Sequence, residues 1–335
     1  MVDRPEKRVR FQSTPSPHVR DKDSVERMMT TVLIALAPAG AAAVWIHGAR
    51  CLLIMLIAIT AAFLTELGFE RIFRKPLTVD DKSACVTGIL LAFSLPVHAP
   101  LWMPALGSLA AVILGKQIFG GLGSNPLNPA LVGRIFLMIL WPNLFHAYPA
   151  DASTAATPLQ AFKGAREVLI NGANHGAKEI AQATLTLSEC YGSSYYSMLV
   201  KKMGCLGETS VVCLLLGAGF LLYQRTIGWK IPLFFIGTFS CLSWVFGGAE
   251  GLFSGNVLFH LSSGGLILCA FFMATDPVTS PVGVTGRILF GAGCGLLTVV
   301  FRLWGPWPEG VAFAVILMNA ANYIARRHRL GLKSY

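Results

Sequence analysis

The chain has 335 residues, 54% of them hydrophobic and only 13% charged, about half the charged fraction of a soluble domain. With a mean hydropathy of +0.61 this excludes an ordinary water-soluble enzyme and points to an integral membrane protein. The net charge of +10 does not require nucleic acid as a partner, because a bias of basic residues toward one membrane face accounts for it.

Residues 1–28 form a polar segment with seven Lys and Arg residues, including Ser16-Pro17-His18-Val19-Arg20. No short apolar run precedes a small-residue cleavage site, so a cytoplasmic N-terminal segment is expected rather than a signal peptide. A bilayer core takes about 20 apolar residues per helix. On that ruler, residues 29–147 hold five spans, near 29–46, 51–69, 84–96, 104–119 and 129–147. The third is short, and a broken or re-entrant helix there needs its free backbone groups buried in protein. The second carries Glu66, with Glu70 one turn on. An acid at membrane depth is a functional candidate by default, with Arg71 or Lys116 as partner, and a merely interfacial place is the alternative. Before the fifth span lies Gly123-Ser124-Asn125-Pro126-Leu127-Asn128-Pro129, where Asn125 and Asn128 serve either as helix caps or as ligand contacts.

Residues 148–207 are the one long polar stretch. Within it Thr157-Pro158-Leu159-Gln160 has the form of a capping box, with Pro158 as first helical residue. The first-turn N–H groups and the helix dipole suit such an end to a phosphate. Cys190 and Cys205 share the stretch and are free to pair or not. The eight cysteines show no C-x-x-C spacing, so an iron–sulfur cluster held by this chain alone is not expected. The seven histidines show no zinc pattern.

Residues 208–324 hold five further spans, near 209–223, 231–247, 252–273, 283–301 and 310–324, and 325–335 form a basic tail. Ala274-Thr275-Asp276-Pro277-Val278-Thr279-Ser280-Pro281 follows the eighth span. Asp276 there is an N-cap, or a ligand for a cation or an amide. With the N-terminus cytoplasmic, 20 of the 27 Lys and Arg residues fall on the inner side. Both termini then lie inside, which requires an even number of spans, as ten is, and the 148–207 loop lies outside. Ile89-Leu90-Leu91-Ala92-Phe93 matches Ile267-Leu268-Cys269-Ala270-Phe271. Two five-span repeats, odd in number and therefore inverted, are expected, an arrangement of transporters and channels with a site near the midplane.

Asp151-x-x-Thr154-x-Ala156-Thr157 resembles the D-x-x-[ST]-x-A-[ST] signature on which a flavin transferase esterifies FMN through its phosphate. Together with the segments at 16–20, 123–132 and 274–281, it resembles the D subunits of the Rnf ferredoxin:NAD oxidoreductase complex. More distantly, the chain is similar to the B subunits of the sodium-translocating NADH:quinone reductase. The resemblance implies an all-α integral membrane fold like that of urea channels. It implies covalent FMN on Thr157, with Asp151, Thr154 and Ala156 read by the transferase. A second, non-covalent flavin, usually riboflavin, is implied within the membrane part, for which Asn125, Asn128 and Asp276 are the candidates. Partners implied are the lipid bilayer of a bacterial inner membrane, the A and E membrane subunits, the G flavoprotein and the cytoplasmic B and C subunits. The expected role is electron relay coupled to Na+ or H+ transport, with no complete active site on this chain. The alternative, from the repeat alone, is a small-solute channel.

Overall fold

A computed structural model describes residues 25–75, 79–146, 158–170, 177–192, 204–248, 251–305, 307 and 309–329. Among these the fold is helical throughout, and its one strand-like pairing is an isolated antiparallel bridge between Pro96 and Cys205. The first half contains α1 (Val25–His47), α2 (Ala49–Ile72), α3 (Ser83–Phe93), α4 (Trp102–Gly115), α5 (Pro129–Leu140) and the short α6 (Pro142–His146). Next come α7 (Pro158–Ile170) and α8 (Ala177–Gly192). The second half contains α9 (Val211–Tyr223), α10 (Lys230–Phe246), α11 (Val257–Ser262), α12 (Leu266–Leu268), α13 (Val284–Leu303) and α14 (Val311–Arg329). Helices α1, α2 and α13, and α4 with the turn after it, are long and apolar enough to cross a membrane.

The pairing of helices recurs. In the first half α2 packs on α4 and α4 on α5; in the second α10 packs on α13 and α13 on α14. Helices α1 and α9 join the halves. They approach closely because Gly217 leaves no side chain between them: a Cβ there would lie 2.1 Å from the Ala35 carbonyl oxygen. Gly217→Ala is therefore expected to cost about 1–3 kcal/mol through overpacking. Gly219→Ala, two residues on with nothing within 4 Å, should be neutral or raise stability by up to ~1 kcal/mol. Thermal melts of the two variants in detergent check the contrast.

Two elements near the centre are too short to span. Helix α3 has 11 residues, about 16 Å of rise against ~30 Å of hydrocarbon. It starts after Lys82, which holds a left-handed φ of 60°, and stops at Ser94 two residues before Pro96. The expected third span thus ends early, and its free groups are met by protein: Leu206 N–H donates to the Leu95 carbonyl at 3.0 Å, and Arg134 donates to that of Ser94.

The eighth expected span, read as continuous over 252–273, is instead broken. Between α11 and α12, Gly264 and Gly265 adopt φ of 71° and 63°, a conformation that ends a helix and favours glycine. Beyond α12 the chain widens into a π-helical turn over Cys269–Met273. A hydropathy window cannot see this break, because the two glycines sit within an apolar run. The fifth expected span likewise parts at Trp141-Pro142 into α5 and α6, where proline ends the hydrogen-bond ladder.

Candidate functional site

Three of the residues singled out in the sequence meet in one place. Asn125, Asn128 and Asp276 line a partly open cavity of about 70 Å³ between α1, the start of α3 and the π-helical turn. Met28, Leu90 and Phe271 supply apolar wall.

The three polar residues are not equally available. Asn128 caps α5, its Oδ1 accepting from Ala130 N–H at 3.0 Å and Leu131 N–H at 3.4 Å. Its Nδ2 donates across the halves to the Met273 carbonyl at 3.1 Å. Asn128 is therefore a structural clamp at the cavity edge. Asp276 closes its own turn, Oδ1 accepting from Val278 N–H and Oδ2 from the Thr279 hydroxyl, both at 3.2 Å. Burial pushes its carboxyl above the usual range, and these two donors hold it back in part. Asn125 differs. It is buried, its Nδ2 donates to the Leu127 carbonyl at 3.1 Å, and its Oδ1 has no partner among the described residues. A buried acceptor left open is costly, and here it belongs to a residue that lines the cavity, where a donor from outside the chain can meet it.

One residue of the cavity lining, Lys116, belongs to a pair visible only in outline from the sequence. Lys116, not Arg71, is the partner of Glu66, at 2.5 Å, with both side chains buried. Lys116 also donates to Ser83 Oγ at 2.5 Å.

A second charged network joins the halves away from the cavity. Arg134 of α5 pairs with Glu309 just before α14, and Cys205 Sγ lies 3.8 Å from the same guanidinium. The side chain of Cys190 lies outside the described residues, and Cys205 is a free cysteine among them. Burial pushes its thiol well above the usual range. At the glycine break, Glu208 accepts from Gly264 N–H at 3.1 Å. There too, Arg302 donates to the carbonyls of His260 and Ser263 at 2.6 and 3.0 Å. In the sequence, Arg134 and Arg302 read only as markers of topology. The signal that would have found them is a guanidinium within an apolar helix, which must have buried partners.

The attachment motif Asp151, Thr154, Ala156 and Thr157 lies outside the described residues. The helix after it is described: α7 begins at Pro158, in accord with the capping box. Its apolar face packs Phe162 against Phe259 and His260 of α11, with ring centroids 5.3 and 5.0 Å apart. Its basic face caps the C-terminal ends of two helices. Lys163 donates to the Gly305 carbonyl beyond α13, and Arg166 to those of Gly248 and Phe246 at the end of α10, at 3.3 and 3.4 Å. Cations at helix C-termini meet both the free carbonyls and the dipole. Leu159 reaches the break itself, since a Cβ on Gly264 would lie 3.0 Å from it.

A family model described as the NQR2, RnfD, RnfE family matches residues 12–328. A relative from Clostridium ljungdahlii, named as the D subunit of a proton-translocating ferredoxin:NAD(+) oxidoreductase complex, is 40% identical over 322 residues. The match covers 93% of this chain and 92% of that protein. One from Acetobacterium woodii, named as the D subunit of a Na(+)-translocating complex of the same kind, is 38% identical over 93% of this chain and 91% of its own. A third, from Halorhodospira halophila, named as the D subunit of an ion-translocating oxidoreductase complex, is 36% identical over 91% and 90%.

Proposed function

The chain belongs to the NQR2, RnfD, RnfE family, and from this premise we propose that it is the membrane flavoprotein subunit of an ion-translocating ferredoxin:NAD oxidoreductase. In this reading its ten apolar segments form two inverted repeats with both termini cytoplasmic. Thr157, on the outer side, carries FMN through a phosphoester, and the cavity beside Asn125 takes a non-covalent flavin, riboflavin by family resemblance. Electrons pass between these and the neighbouring subunits, A, E and G in or on the membrane and B and C in the cytoplasm. The transport of Na+ or H+ is coupled to that flow. The relatives' names carry one ion each, so kinship at this identity does not choose between them.

The observation that carries the inner site is the orphaned Asn125 Oδ1 of a residue lining a partly open, mostly apolar cavity. A flavin offers an N–H beside two carbonyls on one edge and a broad apolar face, which fits an open acceptor amid apolar wall. The flavin supplies the one- and two-electron chemistry; the chain supplies place, orientation and field. Asn125 would accept from the ring edge and fix its register. Met28, Leu90 and Phe271 would exclude water from its face. On the outer side, Phe162, Lys163 and Arg166 hold α7, which begins one residue after Thr157, to α11 and the ends of α10 and α13. The test of attachment is a denaturing gel of the purified chain under ultraviolet light. Yellow-green fluorescence that stays with the band supports the reading. A colourless band from a host with the transferase leaves a helical pore of unknown cargo.

A further inference from the structure

We infer that Lys116 sets the electrostatic potential of the cavity so that it favours a reduced flavin over an oxidised one. The inference rests on the reading of this cavity as a flavin site. Among the described residues Lys116 is the one Lys or Arg that lines the cavity, and Asp276 the one acid; Glu66 does not line it. Lys116 is 1% exposed, and its place is fixed from behind. Nζ lies 2.5 Å from Glu66 Oε1 and 2.5 Å from Ser83 Oγ. Ser83 in turn donates its hydroxyl to Asp81 Oδ1 at 2.5 Å, which leaves the Ser83 oxygen to accept from the ammonium. Gln117 Nε2 steadies the same Glu66 oxygen at 3.4 Å.

An ammonium has three donors. Glu66 and Ser83 take two, and the third has no acceptor among the described residues. The arrangement is an oriented ion pair with the cation at the cavity and the carboxylate behind it in α2. In a medium of low dielectric the nearer charge dominates the field at the ligand. Two electrons, from dithionite or from the one-electron carriers of the complex, together with one proton from solvent add one net negative charge to a flavin. Lys116 stabilises that charge, and Asp276, the acid among the lining residues, opposes it.

The test uses the full-length chain in detergent carrying Thr157→Ala, so that only non-covalent flavin reports. Riboflavin binding is measured by equilibrium dialysis, once oxidised and once reduced with dithionite. Lys116→Met is expected to raise the Kd for reduced riboflavin about tenfold relative to that for the oxidised form. That is a fall of about 30 mV in the bound two-electron potential. Lys116→Arg should keep the ratio, and Glu66→Gln should move it the opposite way. A merely structural lysine would weaken both forms alike, so an unchanged ratio in Lys116→Met overturns the inference while leaving the flavin site standing. Protein with the wild-type cavity that binds riboflavin in neither state removes the flavin reading, and the inference with it. Where Lys116→Met does not fold, Glu66→Gln decides: a ratio shifted toward reduced riboflavin supports the assignment, and a fixed ratio overturns it.

Discussion

Arg134→Met is expected to destabilise the chain by about 3–5 kcal/mol, the range for removing one partner of a buried ion pair. Arg134 is 7% exposed and joins three elements. It donates to the Ser94 carbonyl at the end of α3 and to Glu309 before α14, and its guanidinium sits 5.9 Å from the Phe145 ring centroid. Methionine fills similar volume but leaves a carboxylate and a carbonyl without their donor. The double variant Arg134→Met/Glu309→Leu should recover much of the loss, because an apolar pair leaves no charge uncompensated. Denaturant melts in detergent read both. A single variant as stable as the wild type would mean that the pair does not bind the halves together.

The second large effect falls on electron transfer rather than on folding. Thr157→Ala is expected to leave the chain folded, yet to abolish its covalent fluorescence and bring NADH-driven ferredoxin reduction by the assembled complex to background. The reason is chemical. A phosphoester needs a hydroxyl and alanine has none, and on the proposed route the FMN is the relay that the variant lacks. Thr157→Ser should retain both signals, since serine offers the same oxygen. Stability should change by no more than about 0.5–2 kcal/mol, the cost of losing a helix cap. A Thr157→Ala complex that keeps full electron transfer would show that the route does not pass through this residue.

Much of this architecture is legible in the sequence, for stated reasons. Apolar segments of helical length mark where helices lie, since burial and lipid both demand them. The start of α7 at Pro158 follows from the capping box, and the N-cap role of Asn128 from its Pro129 neighbour. Glu66 stands out as an acid among apolar residues, and the structure adds which cation answers it. Events inside apolar runs are hidden. The break at Gly264-Gly265 costs no hydropathy, and the π-helical turn after it leaves no mark in composition. The short α3 is the exception, legible in the short apolar run of residues 84–96 that ends at Pro96. Partners distant in the chain are hidden as well. Arg134 and Glu309 are separated by 175 positions, and Asn128 and Met273 by 145. Only packing of one half against the other brings them together. The motif residues Asn125, Asn128 and Asp276 stand out singly from local pattern. That they share one cavity, and that Asn125 is the one with an acceptor to spare, is a fact of the fold.

Covalent FMN on one threonine is the central claim, and intact-peptide mass spectrometry meets it most directly. The chain purified from its own cells is digested, and the peptide containing Thr157 is weighed and fragmented. Covalent attachment predicts a peptide heavier by one FMN less one water, with the added mass on Thr157. A fully unmodified peptide, or the mass on another residue, would contradict it.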